Sequence, residues 1–177
     1  ALMELQASRL KARVGRGGAP VLLMDQDRSR WDALLVRRGF AALAQATGLG
    51  GPLGPYTLQA AIAACHAQAR TANETDWARI AALYDALAQV APSPVVELNQ
   101  AVAIGMAFGP EAGLRAVDEL LEEKALQGYH LLPAVRGDLL AKLGRQAEAQ
   151  QEFARAAALT ANQRERALLL ERAKTGR

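Results

Sequence analysis

The sequence predicts an all-α protein built from antiparallel helix pairs. Of its 177 residues, 39 are Ala and 27 are Leu, and both types favour helices because they lose little side-chain entropy there. Aromatic residues make up 5% of the chain, and the β-branched residues that strands prefer are scarce. Gly and Pro cluster between apolar runs of helical periodicity. Together these observations argue against a β-sandwich, a barrel or a doubly wound sheet.

Nine helices are expected, and each is delimited by glycine, proline or a capping residue. They cover about residues 1–13, 31–48, 55–70, 75–91, 94–108, 110–126, 129–143, 147–159 and 163–173. The stretch 14–20 ends the first helix, and Asp27 or Ser29 is expected to cap the second. Pro55 suits the first turn of the third, where its missing N–H costs nothing. The Gly/Pro-dense stretch 48–55 predicts a boundary between a helical segment, residues 1–50, and a helical repeat domain, residues 51–177.

A tetratricopeptide-like repeat is predicted over residues 134–161. This repeat needs small residues where its two helices cross and a turn between them. Gly137 and Ala149 occupy the crossing positions, and Gly144 makes the turn. The inner face of the second helix is completed by Phe153, Ala156 and Leu159. Two degenerate copies precede it, and a displacement of 36 residues aligns Ala101 with Gly137 and Gly113 with Ala149. We therefore expect the helix pairs to stack as a right-handed superhelix.

Charge and hydropathy exclude several classes of protein. The net charge of +3 is divided into +4 over residues 1–50, −5 over residues 51–128 and +4 over residues 129–177. A nucleic-acid binder usually has one strong basic patch with stacking aromatics, which this pattern lacks. No apolar run reaches the ~20 residues of a membrane span, and no secretory signal peptide is found. We expect a cytoplasmic protein that contacts neither a membrane nor DNA directly.

Motifs for catalysis are absent from the sequence. It contains no nucleophile elbow, phosphate loop, dinucleotide fingerprint or zinc-protease helix motif. Cys65 and His66 are adjacent, so on a helix they point about 100° apart and do not converge on a metal. His66 is expected to be a packed helix histidine, and Cys65 a small core residue. The sequence therefore favours a non-enzyme without a cofactor.

The most unusual polar stretch covers residues 25–32. Its Asp-x-Asp pattern lacks the glycine and terminal glutamate of a calcium-binding EF-hand loop. We expect a helix cap and a network of arginines and carboxylates that fixes the entry to the second helix. A contact surface for another protein segment is the alternative.

Three polar residues lie in otherwise apolar helices. Asn99, His130 and Arg136 can line a repeat groove and hold the backbone or carboxylate of a peptide. They can equally bond neighbouring helices, and the sequence does not separate the two roles. The full set of candidate partner-binding residues is Asp25, Asp27, Arg28, Arg30, Trp31, Tyr56, His66, Asn99, His130 and Arg136.

Six phrases, in order, resemble one family. The phrases are MDQDRSRWD at 24–32, GPYTLQAAIAACHA at 54–67, TDW at 75–77, LYD at 83–85, SPVVELN at 93–99 and YHLLPA at 129–134. They resemble the C-terminal extension of bacterial extracytoplasmic-function RNA polymerase sigma factors that end in a tetratricopeptide-like domain. The resemblance covers nearly the whole chain, and residues 1–47 look like the end of that family's middle helical segment.

The resemblance implies a non-catalytic regulatory module of a sigma factor. The DNA- and polymerase-binding regions of that family lie upstream of this extension, so we expect no promoter binding by this chain alone. The implied partners are proteins: the sigma factor's own core regions, RNA polymerase, or a regulator such as the small dimeric ferredoxin-like proteins encoded beside family members. A free-standing tetratricopeptide-type adaptor that binds peptides is the alternative.

Overall fold

The computed structural model describes residues 1–15, 18 and 21–175, and this part of the chain is all α-helical, without a β-strand. Neighbouring helices pack in pairs, so the predicted all-α, repeat-like fold class is confirmed. The helices are α1 (Leu2–Ala7), α2 (Ala33–Gly48), α3 (Pro55–Gln68), α4 (Trp77–Val90), α5 (Pro94–Phe108), α6 (Pro110–Asp118), α7 (Leu131–Lys142), α8 (Gln146–Leu159) and α9 (Gln163–Thr175). None of them combines the length and apolar character that crossing a membrane requires.

The chain forms two compact units. The N-terminal unit, Ala1–Ala91, holds α1 to α4, and the C-terminal unit, Pro92–Arg177, holds α5 to α9. The stretch 48–55, where a boundary was predicted, lies inside the N-terminal unit because α1 packs against both α2 and α3. The segment boundary at residue 50 stays a prediction.

Side-chain caps mark the start of two helices of the N-terminal unit, α2 and α4. Asp32 caps α2, since its Oδ1 accepts the backbone N–H groups of Leu34 at 3.0 Å and Leu35 at 3.1 Å. Asp27 and Ser29, the two residues predicted for this role, instead belong to a separate 3-10 turn at Arg28–Arg30, which Asp27 caps and which contains Ser29. The predicted cap was wrong because that turn intervenes before the helix.

The first helix is shorter than the sequence predicts. α1 ends at Ala7, and a 3-10 turn at Leu10–Ala12 follows it. The buried hydroxyl of Ser8, the residue after α1, donates to the carbonyl of Leu5 at 2.8 Å. Residues 16, 17, 19 and 20 of the predicted terminating stretch lie outside the described residues.

Close packing of small residues defines the C-terminal unit. A Cβ on Gly113 would lie 2.6 Å from the Cα of Gly105, so α5 and α6 meet backbone to backbone. Ala149, Phe153 and Ala156 lie on α8 and are fully buried in the hydrophobic core of this unit. Leu159, expected on the same inner face, is 37% exposed, so that part of the repeat prediction was wrong.

Gly144 makes the turn between α7 and α8, as predicted. Its φ is +75°, a left-handed conformation that glycine adopts without a side-chain clash. The N–H of Gly144 donates to Ala141 O at 3.0 Å, and that of Arg145 donates to Leu140 O at 2.9 Å. This hydrogen-bond pair is a complete Schellman motif, which satisfies carbonyls at the end of α7.

The helix predicted over residues 110–126 is also interrupted. α6 ends at Asp118, and a separate 3-10 turn covers Lys124–Leu126. The carboxylate of Glu123 accepts the N–H of Ala125 at 3.2 Å, and this local cap favours the turn over a continued helix.

Candidate functional site

The half-buried Arg28 connects three segments of the N-terminal unit. Arg28 Nη1 donates to the carbonyls of His66 at 2.6 Å and Ala69 at 3.0 Å, and its Nη2 donates to Thr75 Oγ1 at 2.8 Å. The carbonyls at a helix C-terminus lack partners within the helix, so Arg28 satisfies two of them at the end of α3. The positive charge also suits the negative end of the helix dipole.

Two guanidinium groups lie over the ring of Trp31. Its side chain is 8% exposed, and its ring centroid lies 5.4 Å from Arg28 Cζ and 5.7 Å from Arg9 Cζ. Burial lowers the pKa of Arg9, and the neighbouring charges of Arg13 and Arg28 lower it further. Cation–π attraction stabilises this concentration of positive charge against the apolar ring.

His66, whose backbone carbonyl accepts from Arg28, is a packed and neutral histidine. It is 7% exposed, and its ring meets that of Trp77 edge to face, with centroids 5.2 Å apart. Burial, together with the charges of Arg28 and Arg9, lowers the pKa of His66 to about 4. Among the described residues, no group of three or more His, Cys, Asp or Glu side chains is placed to hold a metal ion. Cys65 is buried beside it, which raises the pKa of its thiol, as a core residue would show.

A cavity of about 390 Å³ opens beside Trp31, and we name it the arginine–tryptophan site after four residues that line it: Arg28, Trp31, Arg37 and Arg70. Aliphatic atoms of Val36, Ala67 and Ala69 form part of its wall, and no Asp or Glu lines it. Glu74 lies close by, where its Oε2 accepts the backbone N–H of Arg70 at 3.1 Å. The cavity is therefore cationic, with an aliphatic wall.

Three buried N–H or ring-nitrogen atoms of this cluster have no hydrogen-bond partner among the described residues. They are Arg28 Nε, Trp31 Nε1 and His66 Nδ1. Buried polar groups are almost always paired in folded proteins, and an unpaired one costs about 1–3 kcal/mol. Two of the three, Arg28 Nε and Trp31 Nε1, belong to residues that line the cavity.

The polar stretch 25–32 is arranged differently from the predicted network of arginines and carboxylates. Arg28 and Arg30 both donate to backbone carbonyls, Arg30 to that of Lys11. The carboxylates of Asp27 and Asp32 accept backbone N–H groups as caps. The hydrogen bonds from Ser29, together with the nearby charge of Arg30, lower the pKa of Asp27. Asp25 is exposed at the end of a 3-10 turn. The stretch does supply a cap for the second helix, at Asp32 instead of Asp27 or Ser29, and the hydrogen bonds of Arg28 and Arg30 go to backbone carbonyls where the prediction had carboxylates.

In the C-terminal unit, two of the candidate residues bond neighbouring helices. Arg136 on α7 contacts Asp118 Oδ1 at 2.8 Å and Glu152 Oε1 at 2.9 Å. Burial lowers the pKa of Arg136, but its hydrogen bonds and charge contacts with these carboxylates outweigh burial and raise it. His130 Nε2 lies 3.3 Å from Glu165 Oε2.

The two remaining candidates, Asn99 and Tyr56, do not line the arginine–tryptophan site. Asn99 is exposed on α5, and Tyr56, 76% exposed, lies in the first turn of α3. The structure therefore brings Arg28, Trp31 and His66 together and leaves the other candidates elsewhere.

Sequence reasoning missed Arg37 and Arg70, which complete the site. They are separated by 33 residues and share no motif. The packing of α2 against α3 brings them to one cavity. Thr75, part of the phrase TDW, carries no sequence signal for this role, although its buried hydroxyl accepts from Arg28.

The fold and this site define an all-α protein of packed helix pairs with a cationic cavity. Residues 1–47 match the model of a family of unknown function, DUF6596. The chain is also similar to an uncharacterized protein of Rhizobium meliloti (strain 1021), with 47% identity over 169 residues. That alignment covers 96% of this chain and 39% of the relative, so the chain spans well under half of the relative's length. No solved structure matches the chain.

Proposed function

We propose that this chain is a non-catalytic regulatory module of a bacterial sigma factor and that it acts through protein contacts. The observation that carries the proposal is the ordered set of six phrases between residues 24 and 134, which resembles the C-terminal extension of one group of these factors. The family match over residues 1–47 covers the same residues that resemble the end of the middle helical segment of these factors.

The arginine–tryptophan site supports a binding role. It offers guanidinium groups and N–H donors around a cavity, which suits recognition of an acceptor-bearing partner. His66, the one histidine of the N-terminal unit, is packed against Trp77 with a pKa of about 4, so at neutral pH it carries no charge.

The regulatory mechanism would be a population shift. A module that binds the active arrangement of its partner more tightly than the inactive one changes their ratio by the difference in affinity. Docking or release of this chain would then raise or lower the fraction of transcription complexes that initiate.

A mobility-shift assay and an affinity capture test the proposal together. We expect the 177-residue chain to bind no promoter DNA, and specific, salt-resistant binding would contradict this. The complete gene product and this chain are each used as bait in a bacterial lysate. We expect RNA polymerase, sigma-factor regions or a dedicated regulator among the captured proteins, and their absence from both captures would contradict the proposal.

A peptide-binding adaptor is the second candidate, favoured by the α7–α8 pair. There Gly137 and Ala149 occupy crossing positions and Gly144 makes the turn, as the tetratricopeptide pattern requires. Sequencing the gene separates the two proposals, because an adaptor gene would encode no sigma regions upstream of this chain.

A further inference from the structure

We propose that the arginine–tryptophan site binds the carboxylate of an acidic segment from a partner protein. The inference deepens the proposed function and rests on it in one respect, namely that the chain acts through protein contacts. It adds the location of the contact and the chemistry of the partner.

Charge at the cavity is the first argument. Arg28, Arg37 and Arg70 line it, and no acidic residue does. Arg37 and Arg70 are exposed, and neither side chain forms an ion pair with a described residue. The carboxylate of Glu74 nearby offsets one of the three charges. An excess of two positive charges around one small cavity attracts an anion.

Unpaired donors are the second argument. The Nε–H of Arg28 and the Nε1–H of Trp31 are buried without an acceptor, and both residues line the cavity. A carboxylate has two oxygens that accept several hydrogen bonds, so it matches a site whose residues carry unpaired donors and exposed guanidinium groups. Because Arg37 and Arg70 are exposed while the two unpaired donors are buried, Arg37 and Arg70 make the first contact with the carboxylate.

Preorganisation is the third argument. The guanidinium of Arg28 is already fixed by the carbonyls of His66 and Ala69 and by the hydroxyl of Thr75. A fixed donor loses little side-chain entropy when a ligand binds, so more of the interaction energy appears as affinity. Arg28 is thus an anchor, and the exposed Arg37 and Arg70 are adaptable contacts.

The shape of the cavity favours a protein segment over a nucleic acid. A nucleic-acid backbone is bound by cations spread along a groove, one phosphate after another. Here the three arginines converge on one cavity of about 390 Å³, and Val36, Ala67 and Ala69 supply an aliphatic wall. A carboxylate side chain with aliphatic neighbours in a peptide matches both features.

The test measures binding of fluorescein-labelled hexaglutamate by anisotropy, with hexaglutamine as the neutral comparison. We expect saturable binding of hexaglutamate that weakens with salt, and no binding of hexaglutamine. The variant Arg37→Gln with Arg70→Gln should weaken binding by about tenfold or more. The control Arg38→Gln removes the next charge on α2, which pairs with Glu4 away from the cavity, and should leave binding unchanged. Equal losses in both variants, or none in the first, would overturn the site.

A second measurement reports the cavity directly. Trp31 and Trp77 are the only tryptophans, so Trp77→Phe leaves Trp31 as the sole reporter. Hexaglutamate should change the emission of Trp31 in this background and should lose that effect when Arg37 and Arg70 are also replaced. Tighter binding of inorganic phosphate or of a single-stranded oligonucleotide at the same residues would overturn the assignment to a protein segment.

The outcomes separate this inference from the proposed function. If hexaglutamate binds as expected but neither capture recovers transcription proteins, the proposed function fails and the site stands. If transcription proteins are captured equally by the wild-type chain and by the Arg37→Gln, Arg70→Gln variant, the proposed function stands and the inference fails.

Discussion

Gly137 on α7 lies directly against the ring of Phe153 on α8. A Cβ added to Gly137 would lie 2.7 Å from Phe153 Cε1, closer than real Cβ contacts come. Phe153 itself is completely buried. The ring of one helix thus occupies the space that a side chain on the other would need, and this contact sets the spacing of the α7–α8 pair.

Gly137→Ala should destabilise the C-terminal unit. The added methyl group forces Phe153 or the backbone of α7 to move in a filled core, at a cost of about 1–3 kcal/mol. Gly128→Ala is the control, because a Cβ there meets no atom within 4 Å. Urea unfolding followed by circular dichroism measures both, and equal stabilities of the two variants would contradict the packing.

Arg28→Lys should destabilise the N-terminal unit, although it keeps the charge. One ammonium group cannot replace a planar fork that reaches His66 O, Ala69 O and Thr75 Oγ1 together. Leaving acceptors unpaired costs about 1–3 kcal/mol. Arg38→Lys, at an exposed ion pair, should change stability by less than about 0.5 kcal/mol. Tryptophan fluorescence during urea unfolding reports this unit, and a variant Arg28→Lys as stable as Arg38→Lys would refute the role of the fork.

His66 should make the N-terminal unit less stable in mild acid. The pKa of its imidazole is about 4 when folded and about 6.5 in the unfolded chain, so the unfolded state binds more protons between those values. The stability that depends on neutral His66 is fully present above pH ~6.5 and is lost as the pH falls towards about 4. The free energy of unfolding should therefore be lower by ~2 kcal/mol at pH 5. Unfolding free energies at pH 7 and pH 5 measure the change.

The comparison for this pH effect is His66→Gln. Glutamine does not titrate. The stability of the His66→Gln variant should therefore change less between pH 7 and pH 5 than that of the wild-type protein, whatever the absolute stability of the variant. An unchanged pH dependence in His66→Gln would show that another group is responsible.

Arg136 and Glu152 should show a measurable coupling energy. Their side chains are 18% and 13% exposed, and the Nη1–Oε1 distance is 2.9 Å. A double-mutant cycle with Arg136→Met and Glu152→Gln should give about 1 kcal/mol or more. The exposed pair Arg145–Glu148 should give a smaller coupling because water screens it. The reverse order would contradict a stabilising role of the Arg136–Glu152 pair.

Local chemistry explains what the sequence predicts well. Pro94 and Pro110 begin helices at the expected positions, and Gly144 ends α7 through its left-handed φ. Such signals depend on a few neighbouring residues, so they are visible without the fold. Leu159 shows the limit: a helical spacing predicts a buried face, but the width of that face depends on the packing partner.

The site itself depends on contacts between distant residues. Arg28 donates to backbone carbonyls 38 and 41 residues further along the chain. Because every residue has a backbone carbonyl, the sequence does not show which ones act as acceptors. The sequence identified Arg28 and Trp31 as unusual, but their orientation relative to Arg37 and Arg70 follows only from the packing of α2 against α3.

Transcription in vitro tests the proposed regulatory role most directly. The complete product of the gene that encodes this chain is added to bacterial core RNA polymerase on genomic DNA, and transcript 5′ ends are mapped. The same reaction is run with a product that lacks the residues of this chain. We expect promoter-specific transcripts from the complete product and a change of about fivefold or more in their amount on deletion. No promoter-specific transcript from the complete product, or equal amounts from both, would contradict the role.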